Sequence, residues 1–468
     1  MMAGKREEHP AGSSNGHRGD VLRVLGVLKV ATADQIQRIA APHLTYRHTD
    51  KETPSKQKQA RTASHTGALS DLRKHGLSEN GGATSGSETL RNLTAKGLEA
   101  ASWELGRPLW EMGGTARGAG SSGASHPMAV NETVIALLRP KPNLARLKNE
   151  PAEALAAARA VAESPGGLGT IASYATEVPL PPTGTWTAPG KGGAIPDIAL
   201  TAPGSGVPLL FVEVDNCHEG APELAGKVDK YNRFFERKVK DTDGREKPMW
   251  RTRWPVRWDS DDPHPPLLFV FNPIGDRNPD RTIPRLAELT YPYWRGFPAS
   301  DGGYHTYERQ IPIVATTLDL LREHGPAGRI FWRFGRGTWS RESYQPLLDA
   351  IGNPRQVAAE AEREARWEAQ QQAYKAEQRR RAAQEAAERE ARRPDCAACG
   401  AKFTDERWKA VEPDHWDAPR DTHPQLCDAC KEQAIETQRQ AEQDERERQE
   451  AEAAQASKAG GWLGRWRS

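Results

Sequence analysis

At 468 residues the chain is too long for a single hydrophobic core, and roughly two to four modules are expected. Only 37% of its residues are hydrophobic and the mean hydropathy is −0.76, which excludes a chain packed throughout as globule. The 65 Lys or Arg and 63 Asp or Glu nearly cancel, so local rather than global charge has to identify partners. No apolar run approaches the roughly 18 residues of a membrane span, and the N-terminus lacks the apolar stretch of a signal peptide. The expectation is a cytoplasmic protein with no membrane partner.

Residues 1–17 are small, polar and charged, and are expected to be disordered. From Asp20 onward, Val21, Leu22, Val24, Leu25 and Leu28 recur with helical spacing. Thr32 is placed to cap a short second helix that carries Ile36 and Ile39. A polar insert over 41–56 precedes a third helix, about 57–76, with Ala68, Leu69 and Leu72 on one side and Gly76 as its stop. A Gly/Ser-rich stretch, the short apolar run TLRNLTAKG and a further helix follow. Three helices and then a hairpin-like wing is the order of a winged helix-turn-helix, over 18–111. The third helix would be the one that reads DNA. Lys56, Lys58, Arg61, His65, Arg73 and Lys74 supply donors for phosphates or base edges. Residues 1–110 hold 16 Lys or Arg against 11 Asp or Glu, in keeping with that role. Two alternatives stay open: a solvated basic face, or a winged helix that binds protein.

A Gly/Ser-rich linker spans 112–125. Beyond it, helices are expected from about Met128 to Leu138 and over 151–163. Strands are expected at 171–178, 195–200, 208–214 and 266–272, with a helix around 223–238. The segment TTLDLLREHG reads as helix leading to a strand at 330–334, and 239–265 reads as a long loop. Interleaved strands and helices indicate an α/β domain over 126–350. Residues 354–393 and 432–457 are rich in Ala, Glu, Gln and Arg with no apolar seam, and read as solvated helices supported by charge pairs. Residues 458–468 form a flexible tail in which Trp462 and Trp466 are either a docking peptide or without a role.

The residues suited to phosphate chemistry lie between Ala194 and Tyr231. Acidic residues sit at the ends of two short apolar runs, at Asp197 in AIPDIAL and at Glu213 and Asp215 in LLFVEVD. That is how a sheet presents carboxylates to a divalent metal beside a phosphodiester. In a PD-(D/E)xK nuclease an Asp on one strand and an (E/D)xK on the next hold Mg2+, and the Lys orients water and stabilises charge. Pro196-Asp197 matches the first half. Glu213-Val214-Asp215 matches the second, except that Asp215 stands where Lys belongs. Lys227, or Lys230, on the following helix is the candidate to return an ammonium, and Glu177 is a third carboxylate. The competing reading is that acids close strands because strands end at the surface. His126 and Asn131 read as capping or packing residues. Cys217-His218 lacks a third catalytic member, and no GxxxxGK[ST] phosphate loop occurs.

Cys396-x2-Cys399 and Cys427-x2-Cys430, separated by 27 residues, have the spacing of a tetrahedral structural zinc site. Four sulfurs leave no coordination position for catalysis. His415 and His423 are alternative ligands, and a redox pair or free thiols are the alternatives to metal. A zinc ribbon over 394–431 is expected, touching DNA or a partner protein.

Together these residues resemble the replication-relaxation family of actinobacterial plasmids and integrated elements. The resemblance rests on TADQIQRIA (Thr32 to Ala40), NLTAKG (Asn92 to Gly97) and HPMAVNE (His126 to Glu132). It continues in PDIAL, LLFVEVD and the K-x-x-K-Y segment from Lys227 to Tyr231, covering about 18–335. It implies a DNA-associated protein in the replication, relaxation or transfer of a mobile element, working with replication or transfer proteins. The fold expected is multidomain α/β: a winged helix, a restriction-endonuclease-like core lacking the usual lysine, and a zinc ribbon between charged helices. Three functions remain: a DNA-binding protein with a degenerate nuclease-like core, an active endonuclease or nickase using Mg2+ or Mn2+, and a non-catalytic protein-binding adaptor.

Overall fold

The computed structural model describes residues 13–116, 124–256, 262–300, 303–412 and 421–463. Most of the expected N-terminal disorder, the middle of the 112–125 linker, His415 and the chain from 464 with Trp466 lie outside these residues, as does the side chain of Trp462. Two compact units divide the chain, one ending at Ala359 and the other beginning at Glu360.

The first unit opens with α1 (Asn15–Leu28), β1 (Val30–Thr32), α2 (Ala33–Ala40) and α3 (Pro54–Lys74). The strands β2 (Ser78–Ala83) and β3 (Thr89–Leu93) and the helix α4 (Ala95–Leu105) follow. The three strands form an antiparallel sheet in the order β1-β3-β2. Thr32 caps α2 reciprocally: its hydroxyl accepts from the Gln35 N–H, and the Gln35 side chain accepts from the Thr32 N–H. The polar insert contains a 3-10 turn at Pro42–Tyr46, and α3 starts earlier than its apolar spacing suggests. Thr53 as N-cap and Pro54 in the first turn set that start. Gly97 admits close packing at the base of the hairpin, since a Cβ there would lie 1.8 Å from the Leu77 carbonyl oxygen.

Next come α5 (Ser125–Leu138), α6 (Ala152–Glu163), β4 (Tyr174–Thr176), β5 (Ile198–Ala202), β6 (Val207–Asp215) and α7 (Ala221–Glu236). The hairpin strands β7 (Lys238–Lys240) and β8 (Glu246–Pro248) precede β9 (Leu267–Phe271), α8 (Pro279–Leu289) and α9 (Tyr291–Trp294). A small pair, β10 (Phe297–Pro298) and β11 (His305–Thr306), leads to β12 (Ile313–Thr317), α10 (Leu318–His324), β13 (Trp332–Arg333) and α11 (Leu347–Ile351). The central sheet has the order β13-β12-β9-β6-β5-β4. Its middle strands β6, β9 and β12 are parallel, and β4, β5 and β13 pair antiparallel to their neighbours.

Strand alternation divides the core. Leu268, Val270 and Val314 pack with α5 and the N-terminal helices, whereas Leu267, Phe269, Phe271 and Ile313 pack with α7 and α8. The apolar cluster on the first face runs from Val21 to Ala350, so the N-terminal helices and the central sheet share one core. Polar contacts reinforce the junction. Asn131 of α5, only 1% exposed, donates to the Val30 carbonyl at 2.8 Å and to Gln35 Oε1 at 3.0 Å. Arg38 donates to both oxygens of Glu132, each at 2.9 Å.

Several sequence expectations change. The segment TTLDLLREHG is not all helix, because Thr316 and Thr317 finish β12 and the Thr317 hydroxyl caps α10. Its β-branched predecessors place β12 inside the sheet. The 239–265 loop contains the β7–β8 hairpin and a 3-10 turn at Met249–Thr252 that buries Trp250. At 330–334 only Trp332 and Arg333 are strand.

The second unit takes its helices from α12 (Pro354–Ala391), α13 (Asp405–Val411) and α14 (Asp428–Leu463). No residue of α12 is buried, and α14 is exposed over 436–457. Asn131→Ala is expected to lower the stability of the first unit by about 1–3 kcal/mol, because the buried Val30 carbonyl loses its partner. An unchanged urea midpoint would show that the α5–β1 bond is not part of the junction.

Candidate functional site

Register brings the central acids together. Ile198 pairs with Val212 across β5 and β6, so Asp197 is carried alongside Glu213 at the next position. Val212 and Val214 belong to the α5 face, which leaves Glu213 on the α7 face. Glu213 is 3% exposed. Its Oε1 accepts from the Tyr231 hydroxyl at 2.5 Å, and its Oε2 lies 3.1 Å from Lys227 Nζ. Lys227 and Tyr231 are one helical turn apart, and both turn inward from α7. Lys227 also pairs with Glu219 at 2.9 Å. Lys230 is exposed, so of the two candidate lysines it is Lys227 that meets the acids.

Asp197 is held from two sides. Its Oδ2 accepts from the Val214 N–H at 2.7 Å, and its Oδ1 lies 2.9 Å from His126 Nε2 at the start of α5. Asp215 turns into the following loop, where Oδ1 accepts from the N–H groups of His218 at 3.3 Å and Glu219 at 3.5 Å; its Oδ2 is buried with no hydrogen-bond partner among the described residues. Glu177 is exposed and joins the site through its backbone, its N–H donating to the Asp197 carbonyl at 3.2 Å. Cys217 is buried with its thiol pushed up to about 11 by burial and the Asp215 charge, which suits packing rather than nucleophilic attack.

The charges are strongly perturbed. Burial, and then the nearby Asp197 carboxylate, raise the Glu213 pKa to about 7. Burial opposes the Lys227 ammonium, but Glu213 and Glu219 more than offset it and raise its pKa. The hydrogen bond to Asp197 raises that of His126. Asp215 is raised chiefly by burial. Among the described residues, the three carboxylates do not gather as a metal-ligand set with oxygens within 4.8 Å of one another; only the four cysteines do that.

The basic helix is less uniformly open than its sequence suggests. His65 is fully buried and packs edge-on against His17 at 5.3 Å, a correction to its expected place on a DNA-facing surface. It falls in the register of Thr62, Ala68, Leu69 and Leu72, which faces the core. Arg61 ties α3 to α2 by an ion pair with Asp34 at 2.5 Å, and Lys58 pairs with Glu88 of the hairpin. Lys56, Arg73 and Lys74 are exposed. Arg91 of β3, which the sequence reading passed over, lies within electrostatic range of Arg73, and burial and that charge lower its pKa.

In the second unit the four cysteine sulfurs lie within 4.8 Å of one another, and Cys399 Sγ is 3.7 Å from Cys427 Sγ. A zinc ion with about 2.3 Å bonds in tetrahedral geometry needs sulfurs roughly 3.8 Å apart. The donor set therefore fits a metal ion such as zinc. Gly400, with φ 73°, turns the first knuckle so that its N–H reaches the Cys396 carbonyl at 2.8 Å. The Cys427 N–H donates to Cys396 Sγ at 3.2 Å and is the main influence pushing that thiol down to about 6. Arg407, 2% exposed, holds the second knuckle by pairing with Asp421 at 2.5 Å and donating to the carbonyls of Leu426 at 2.7 Å and His423 at 2.6 Å. His423 turns its ring to Thr422, outside the cluster.

Residues 22–246 match the replication-relaxation family. This segment belongs to that family. It holds α3, Asp197, Glu213, Asp215 and Lys227, whereas β9, β12 and the cysteine cluster lie beyond the matched replication-relaxation residues. No curated protein and no solved structure matches the chain. Among the described residues no helix is long and apolar enough to cross a membrane.

Two outcomes test this geometry. Because the Glu213 pKa of about 7 lies above its ordinary 4.5, the penalty for its ionisation is absent below 4.5 and grows as pH rises through 7. Glu213→Gln should therefore gain stability over the native chain by about 1–3 kcal/mol between pH 5 and pH 8, read from urea midpoints. A pH-independent difference would refute the raised pKa. Purified protein should also carry about one zinc per chain by elemental analysis, lost in Cys427→Ser. Full retention in that variant would remove the cysteines as ligands.

Proposed function

We propose that this protein binds duplex DNA through α3 and the β2–β3 hairpin, in the replication or relaxation of a plasmid or mobile element. The observation that carries the reading is the order α1-β1-α2-α3-β2-β3 with a β1-β3-β2 antiparallel sheet, the arrangement of a winged helix-turn-helix. Its domain would span 18–111, with α3 as the recognition helix. Small exposed residues, Ala63, Ser64, Thr66, Gly67 and Ser70, occupy the middle of α3 and allow close approach to a groove. Lys56 at one end and Arg73, Lys74 and Arg91 at the other supply phosphate contacts.

The domain over 126–350 is read as restriction-endonuclease-like. In support, α5 precedes an antiparallel β4-β5-β6 meander, α7 follows, and β9 then pairs parallel to β6. The zinc ribbon at 394–431 would add a contact to DNA or to a replication or transfer protein.

A second reading, metal-dependent strand cleavage, is favoured by the 3.1 Å contact between Lys227 and Glu213. Asp197 and Glu213 are the pair that would hold Mg2+ or Mn2+, with water completing the shell. A bound ion there would polarise the phosphodiester and activate water. Lys227 would orient that water and stabilise charge, the role left open by Asp215. His126 holds Asp197 and would have to release it.

DNA affinity is expected to fall roughly 100-fold between 50 and 200 mM salt, as about four phosphate contacts require. Arg73→Ala with Lys74→Ala should reduce both affinity and salt slope. Salt-independent retention would instead make the helix a protein-binding surface. On supercoiled DNA, any Mg2+- or Mn2+-dependent nicking should vanish in Glu213→Ala while binding persists. Nicking that survives in Glu213→Ala would sink the site assignment.

A further inference from the structure

A cavity of about 640 Å³ opens beyond the replication-relaxation segment, between α9, the β10–β11 pair and the loop after β13. That size falls within the roughly 300–1,000 Å³ of small-molecule sites. Four arginines line it, Arg295, Arg329, Arg336 and Arg355, against a single carboxylate, Glu342. Three of these four guanidiniums lie at the surface, so the local surplus of positive charge is open to an anion from solvent.

The cations divide into two kinds. Arg336 is fixed, donating to Gln345 Oε1 at 3.2 Å and to the carbonyls of Asp349 at 2.8 Å and Gly352 at 2.7 Å. Behind it Arg333, 1% exposed, lies over the Tyr307 ring at 4.6 Å and has no carboxylate partner among the described residues. Burial and the charge of Arg336 push its pKa down to about 9. Arg295, Arg329 and Arg355, by contrast, are exposed and make no ion pair among the described residues. Arg295 is steered by aromatic faces, 5.5 Å from the Tyr291 centroid and 5.4 Å from that of Phe297.

The backbone is shaped for the same space. Gly335 and Gly337 flank Arg336 with φ of 82° and 75°, and a Cβ on Gly335 would lie 2.4 Å from the Trp294 ring. Glycine alone lets this loop close against the indole. Guanidiniums without an ion-pair partner among the described residues thus line the same cavity as Trp294 and Tyr291, which sets phosphate-binding groups beside aromatic side chains.

We infer that this cavity binds a nucleoside phosphate, its phosphate on Arg295 and Arg355 and its base against the Trp294–Tyr291 wall. The inference does not depend on the winged-helix or nuclease reading, since none of these residues lies in the matched segment. Calorimetric titration of the full chain with dTMP, thymidine, inorganic phosphate and a 5′-phosphorylated thymidine hexanucleotide tests it. We expect thymidine to bind at least about tenfold more weakly than dTMP. The double variant Arg295→Ala with Arg355→Ala should lose about tenfold in dTMP affinity with unchanged thermal unfolding, both side chains being exposed. A hexanucleotide that binds more tightly than dTMP, and loses that affinity in the variant, identifies the end of a strand as the ligand; dTMP binding equal or tighter identifies a free nucleotide. The proposal is overturned if neither probe binds, if thymidine or inorganic phosphate binds as well as dTMP, or if the double variant keeps its affinity for both probes. Arg329→Ala, also exposed, serves as a second variant should the double variant unfold.

Discussion

The central parallel strands must be covered on both faces, and the rest of the first unit follows from that requirement. Strands β6, β9 and β12 carry apolar side chains on alternate sides, and fully burying each one stabilises the fold by roughly 1.5–3 kcal/mol. One face is covered by α7 and α8. The other is covered by α5, which in turn bears the helices of the N-terminal region. The basic helix α3 therefore shares the core on one face of the sheet, while Glu213 lies on the other face, beneath α7.

Covering the sheet also creates the site's chemistry. Glu213 occupies a position on the α7 face that an apolar residue would fill more cheaply, and a buried carboxylate needs partners. Lys227 and Tyr231 provide them from successive turns of α7, while Asp197 is held by His126 and a backbone N–H. The outcome is a charge-compensated group of acid, base and hydroxyl with strongly shifted proton affinities.

The second unit meets the opposite constraint. Its described buried apolar residues are Cys396 and Phe403, far too little for a core, and its long helices are exposed. Order around the two CxxC pairs comes instead from the buried Arg407–Asp421 pair and from four thiols placed to share a metal ion.

Much was legible from spacing alone. The capped start of α2, the apolar face of α3, the strands bearing Glu213 and Asp215 and the paired cysteines all depend on near neighbours in the chain, whose periodicity and turn chemistry are local. The strand β12 was hidden because its apolar run abuts a helix with no turn between them, and the 239–265 hairpin because its residues are charged. Which lysine returns to Glu213, that His65 faces inward and that Arg61 serves α2 depend on helices packed from distant parts of the chain. The arginine-lined cavity is likewise assembled from segments between 291 and 355 that share no motif. Local physical chemistry determined the elements and the candidate ligands; only tertiary packing decided which charges meet, because burial and distance, not sequence spacing, set the cost of leaving a charge alone.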